Sequence, residues 1–105
     1  MEVREYVAGT GRNPFSEWLA GLKDSKSRNG IVARLLRLAD GLRGDWKSIG
    51  AGLFELPVHV GPGFRIYCGQ DGPRLIIVLA GGDKHSQTRD VERAHEYWKD
   101  YKAHR

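Results

Sequence analysis

The sequence predicts a single α+β domain with the element order β-α-α-β-β-β-α: a small antiparallel sheet, a helical hairpin packed on one of its faces, and a C-terminal helix. Three observations lead there. Apolar residues recur at helical spacing twice before residue 43 and again after residue 90; three short apolar runs lie between; and turn chemistry separates those runs. With 105 residues the chain has room for one core and one domain, residues 1–105, so every motif should serve one site.

Met1 to Ala8 mixes Val3, Tyr6 and Val7 with charges and reads as a short strand. Asn13-Pro14 then opens a helix, because asparagine caps free amides and proline is tolerated at the first helical position. Phe15, Trp18, Leu19 and Leu22 follow at the spacing of one buried face, and this helix should end near Lys23. A longer helix comes next. It places Ile31, Leu35, Leu38 and Leu42 on one stripe, widened by Val32, Leu36 and Ala39, with Arg34 and Arg37 opposite and solvated. Glycines 41 and 44 stop it.

The strands LFELPVHV (53–60), FRIYCG (64–69) and RLIIVLA (74–80) are separated by Gly61-Pro62-Gly63 and Gln70-Asp71-Gly72-Pro73, links short enough to give an antiparallel meander. Val91, Ala94, Trp98 and Tyr101 then mark a final helix, with acidic residues in its first turn and Lys99 and Lys102 near its end, as the helix dipole prefers. Ser86 or Thr88 is the expected cap.

Bulk properties narrow the function classes. No apolar run is long enough to span a bilayer, and the N-terminus lacks the apolar stretch of a secretory signal, so a cytoplasmic protein is expected. One cysteine, Cys68, permits no internal disulfide and reads as a small buried hydrophobe. His59, His85, His95 and His104 show no paired ligand spacing, so neither a metal nor a cofactor is expected. The formal charge of +4 favours a polyanionic or acidic partner, provided the basic groups converge.

Strand alternation supplies the convergence. Phe54, Leu56, Val58 and Val60 should point to one side with Phe64, Ile66 and Cys68, making an apolar face for the helices. The other side should gather Glu55, His59, Arg65 and Tyr67, within reach of Lys47 just before these strands and Lys84 just after them. Trp18, Trp46 and Trp98 are expected in the core. The loop AGGDKHS is not a Walker phosphate loop, which needs four residues between its glycines and a Lys-Ser/Thr pair directly after the second; here Gly81 and Gly82 adjoin, and His85 separates Lys84 from Ser86. The two glycines are expected to turn the backbone sharply.

Glu55-Leu56, the run Gly61-Pro62-Gly63-Phe64-Arg65-Ile66-Tyr67, and Gly81-Gly82-Asp83-Lys84 followed by Gln87 and Arg89-Asp90 resemble the RelE/ParE superfamily of bacterial toxins, most closely its HigB-like branch of phage-related addiction-module killer proteins. The resemblance covers Asn13 to Trp98. It implies a RelE-like fold and a type II toxin that cleaves messenger RNA on the ribosome, restrained by a small helix-turn-helix antitoxin. By position, Arg65 matches the basic residue at the scissile phosphate, and Lys84 and Arg89 match the basic cluster after the last strand. The sequence departs at Pro57, where the family often has Arg or Lys, and a proline there also removes a ladder amide.

Metal-free RNA cleavage uses the ribose 2′-hydroxyl as nucleophile and needs a base, a cation for the phosphorane charge and an acid for the leaving oxygen. Catalytic expectations therefore fall on Arg65 and Lys84 for charge, and on Glu55 or His59 for proton transfer. Lys47, Tyr67 and Arg89 are the expected RNA contacts. The alternatives are a ParE-like toxin that inhibits DNA gyrase, or a binding module without catalysis.

Overall fold

A computed structural model describes residues 1–105. Its elements are β1 (Glu2–Glu5), α1 (Pro14–Gly21), α2 (Ser25–Ala39), β2 (Lys47–Gly50), β3 (Leu53–Val58), β4 (Phe64–Asp71), β5 (Leu75–Gly82) and α3 (Gln87–His104). The α+β class and the β3-β4-β5 meander stand as expected. One strand is additional: Lys47–Gly50 pairs antiparallel with β3. The sheet order is β1-β5-β4-β3-β2, and β1 lies parallel to β5, so the sheet is mixed.

The helix starts follow from local chemistry. Asn13 Oδ1 accepts from the Ser16 amide at 3.0 Å, with Pro14 in the first turn, as the sequence suggested. Asp24 starts α2 by accepting from the Lys26 amide and the Ser27 hydroxyl, and the Ser27 bond holds its carboxyl below the usual range. At the other end Gly41, at φ 85°, takes the left-handed conformation that lets its own amide reach Leu38 O and that of Leu42 reach Arg37 O, closing the helix.

The buried stripe of α2 is rotated from the one expected. Ser27, Ile31, Arg34 and Leu38 face inward, while Val32, Leu36 and Leu42 are exposed. Arg34 is therefore not solvated: it is 5% exposed, and its guanidinium donates to the backbone carbonyls of Arg43 and Asp45, the latter at 2.9 Å. It anchors the link into β2 by satisfying carbonyls that would otherwise be left unpaired. A five-donor guanidinium on an apolar stem suits that position better than leucine would.

Both sheet faces are covered, a second correction. Phe54, Leu56, Val58, Phe64, Ile66 and Cys68 pack with Phe15, Ile31 and Leu38 beneath the α1–α2 hairpin. On the other face Leu53, Tyr67, Ile77 and Leu79 pack with Ala94 and Trp98 of α3 and with Tyr6. Trp98 lies flat over Gly69, where a side-chain Cβ would come within 2.5 Å of its ring. Trp18 and Trp98 join the cores as expected; Trp46 does not, being half exposed with Arg43 stacked 4.9 Å over its ring. No helix is long and apolar enough to cross a membrane.

Candidate functional site

Cross-strand pairing sets the site. Lys47 lies opposite Glu55, Glu55 opposite Tyr67 and Tyr67 opposite Ala80; the next row places Pro57, Arg65 and Gly82 side by side. Directly paired residues share a sheet face, so Lys47, Glu55 and Arg65 stand on the face that α3 covers only in part. The Arg65 guanidinium approaches Glu55 Oε1 at 3.7 Å, with the two side chains 22% and 9% exposed. Gln87, the first residue of α3, donates from Nε2 to Glu55 Oε2 at 3.3 Å. Glu55 is thus held at both oxygens, by a strand on one side and by a helix on the other.

The turn between β5 and α3 brings Gln87 there. Asp83 Oδ1 accepts from the amides of His85 and Ser86, at 2.8 and 3.2 Å, and the Ser86 hydroxyl donates to buried Asp90. Ser86 occupies the cap position without capping through its side chain. Neither Gly81 nor Gly82 has a positive φ, and both belong to β5. They are glycines for space: a Cβ on Gly82 would run into Asp90 and lie 2.7 Å from Ser86 Oγ, and one on Gly81 would enter the Trp18 ring. The expected sharp backbone turn is instead made by Asp83.

Of the other expected site residues, His59 and Arg89 lie elsewhere and Tyr67, opposite Glu55, is covered. Strand β3 ends at Val58, so alternation no longer governs His59; its ring lies 3.9 Å from Asp45 in an exposed pair and lines a cleft of about 520 Å³ with Arg34 and Arg37. Tyr67 is fully buried beneath α3, and its hydroxyl has no hydrogen-bond partner. Burial, with help from nearby Glu55 and Asp90, pushes its phenol pKa up, and in this conformation it touches nothing outside the protein. Arg89 is two residues beyond Gln87, on the opposite side of the helix, and faces Trp18 and Pro14 rather than Arg65. Lys84 is exposed in the turn and Lys47 exposed on β2, both free of ion pairs.

Two residues of this region escaped sequence reasoning. Gln87 was one of the marks of the resemblance without a role, and no short-range signal links it to Glu55. Asp90 reads from the sequence only as a first-turn helix acid, and the structure buries it, 6% exposed. Pro57 sits where β2 no longer reaches β3, an edge position that tolerates a missing amide.

No family model matches the chain. A stretch of 80 residues, 76% of the chain, is 41% identical to an uncharacterized protein of Haemophilus influenzae and covers 81% of that protein. With this identity sustained across most of both chains, the chain belongs to the same protein family as that Haemophilus influenzae protein.

Proposed function

We propose that the chain is the toxin of a type II toxin–antitoxin pair, a metal-independent endoribonuclease of RelE-like fold that cuts translated messenger RNA in the cytoplasm and is neutralised by a helix-turn-helix antitoxin. The observation that carries this reading is the Arg65–Glu55 pair, fixed by Gln87 and flanked by Lys47 on an otherwise apolar sheet face. A cation and a carboxylate held together in a partly buried place suit phosphoryl transfer, where charge must be stabilised and a proton moved.

In the proposed reaction Glu55 takes the proton of the ribose 2′-hydroxyl, whose oxygen attacks the adjacent phosphorus. Arg65 and Lys84 balance the phosphorane charge. The 5′ oxygen then leaves and is protonated by solvent, giving a 2′,3′-cyclic phosphate and a 5′-hydroxyl. His59 has no part in this scheme, because its ring lies with Asp45 on another surface.

The test is induction in growing cells, with messenger integrity and DNA damage followed together. Wild type should arrest growth as intact messenger disappears, and Arg65→Ala or Glu55→Gln should relieve both. Arrest with messenger intact and DNA broken would move the assignment to a gyrase-inhibiting toxin, and harmless expression would sink the toxin reading.

A further inference from the structure

The sheet ends at β1, and nothing pairs with the outer side of that strand. Glu2 and Tyr6 donate their amides to Arg74 O and Val78 O on the β5 side, at 2.7 and 2.9 Å, so alternation turns the amides and carbonyls of Val3 and Glu5 toward the open edge. Such an edge is a template for another strand. Beside it lies an apolar groove of about 280 Å³, lined by Val3, Phe15 and Leu19 and by Val32, Leu35 and Leu36 of α2. Val32 is 43% and Leu36 62% exposed, so α2 shows solvent an apolar ridge next to an unpaired strand. The carboxylate in the groove wall, Glu5, is engaged by the Asn13 side-chain amide at 2.8 Å.

The residues of β1 select the partner. Charge commonly blunts an edge strand, but the charges here, Glu2 and Arg4, are self-complementary about Val3. When a second copy is laid antiparallel in a register centred on Val3, each Glu2 faces the partner's Arg4 and the two Val3 side chains meet. Parity agrees with that register. Val3 carries its amide and carbonyl outward, as the central residue of a hydrogen-bonded antiparallel pair must. Glu2 and Arg4 already pair within the strand, on the face away from the groove, and their side chains remain 54% and 62% exposed, open to a further partner. A two-fold axis requires each group to find its complement in the same sequence, and Glu-Val-Arg does.

We propose that the open edge of β1 is a self-association surface, on which two copies join their sheets through antiparallel β1 strands. The axis runs perpendicular to the sheet, so both grooves open on one face and the two Val32–Leu36 ridges are brought toward each other across it. Glu2–Arg4 pairs close the other face. Lys47, Glu55 and Arg65 lie on β2, β3 and β4, away from this edge, and stay open in the dimer.

Charge exchange tests the surface and its register together. Sedimentation velocity from about 1 μM to about 1 mM spans the range in which a small interface dissociates, and wild type should pass from monomer to dimer within it. Glu2→Arg leaves two arginines on the strand and Arg4→Glu leaves two glutamates. Either variant alone sets like charges opposite each other twice, and should raise the dissociation constant at least about tenfold. Mixing the two variants sets the arginines of one chain against the glutamates of the other and should restore association as a heterodimer. Leu36→Lys, at an exposed helical position where both residues suit a helix, should also weaken the dimer. Wild type that remains monomeric throughout overturns the proposal and leaves the edge to a strand of another protein. A dimer indifferent to the charge changes or to Leu36→Lys lies on another surface and overturns it as well, and so does a mixture of the two charge variants that stays monomeric.

Discussion

Two adjacent glycines at the end of β5 decide how closely α1 and α3 approach the sheet. Gly81 makes room for the Trp18 ring and Gly82 for Asp90, one on each face. Gly82→Ala should cost about 1–3 kcal/mol through overpacking against Asp90, read as a fall in Tm of at least about 5 °C for a domain of this size; an unchanged Tm would show that the helix start yields. Cys68 behaves as read from the sequence. It is fully buried, and desolvation pushes its thiol up to about 12. Because the unfolded thiol ionises from about 9, the stability it contributes is complete below that pH and is lost as pH rises toward 12. Tyr6, raised to about 12 by burial and by donating to Asp100, adds a second loss that begins near 10. Urea midpoints should therefore be flat up to pH 9 and fall above it, and Cys68→Ala should delay the fall to near pH 10. The placement of Cys68 was legible because alternation fixes its face; that of Tyr67 was legible as to face but not as to burial, which depends on α3 lying over it.

The elements were legible where their signals are local. Asn13-Pro14, the glycine after α2 and the apolar runs of β3 to β5 each carry their own instruction, and each element formed close to where it was read. Lys47–Gly50 carries none: it is a strand because β3 offers an edge to pair with. The α2 stripe was misread for a similar reason. Leucine and isoleucine define two overlapping stripes on that helix, and the choice is made by Arg34, whose donors are needed by the carbonyls of residues 43 and 45, far along the chain. Helix α3 has a comparable duty. Trp98 Nε1 donates to Ala51 O at 2.9 Å and His95 contacts Ile49 O at 3.0 Å, fastening the β2–β3 turn. Trp98→Phe removes one buried hydrogen bond and should cost about 1–3 kcal/mol. Amide exchange should quicken selectively in residues 47–53; uniform quickening across the sheet would contradict a local fastening role.

At the scale of the molecule, the mixed five-stranded sheet is clothed on both faces, and beside the start of α3 Lys47 and Arg65 stay partly open on either side of buried Glu55. Alternation along β3 and β4 was enough to bring Glu55 and Arg65 to one face. It does not extend to His59, which lies past the end of the strand, nor to Arg89, which leaves α3 on the side away from Gln87. The site is smaller than the sequence suggested and is assembled from β2, β3, β4 and α3, so its integrity depends on the α3 start as much as on the strands. Gln87→Ala should leave the fold intact while lowering cleavage, and Gln87→Glu, which sets two carboxylates against each other, should lower it further; equal activity in both would remove Gln87 from any positioning role. The most direct measurement is cleavage of a defined messenger on purified translating ribosomes by wild type and Arg65→Ala. Wild type should release fragments ending in 2′,3′-cyclic phosphate, and the variant should be slower by about 100-fold or more, the usual cost of removing a transition-state charge partner. Undiminished cleavage by Arg65→Ala, or none by the wild type, would contradict the account.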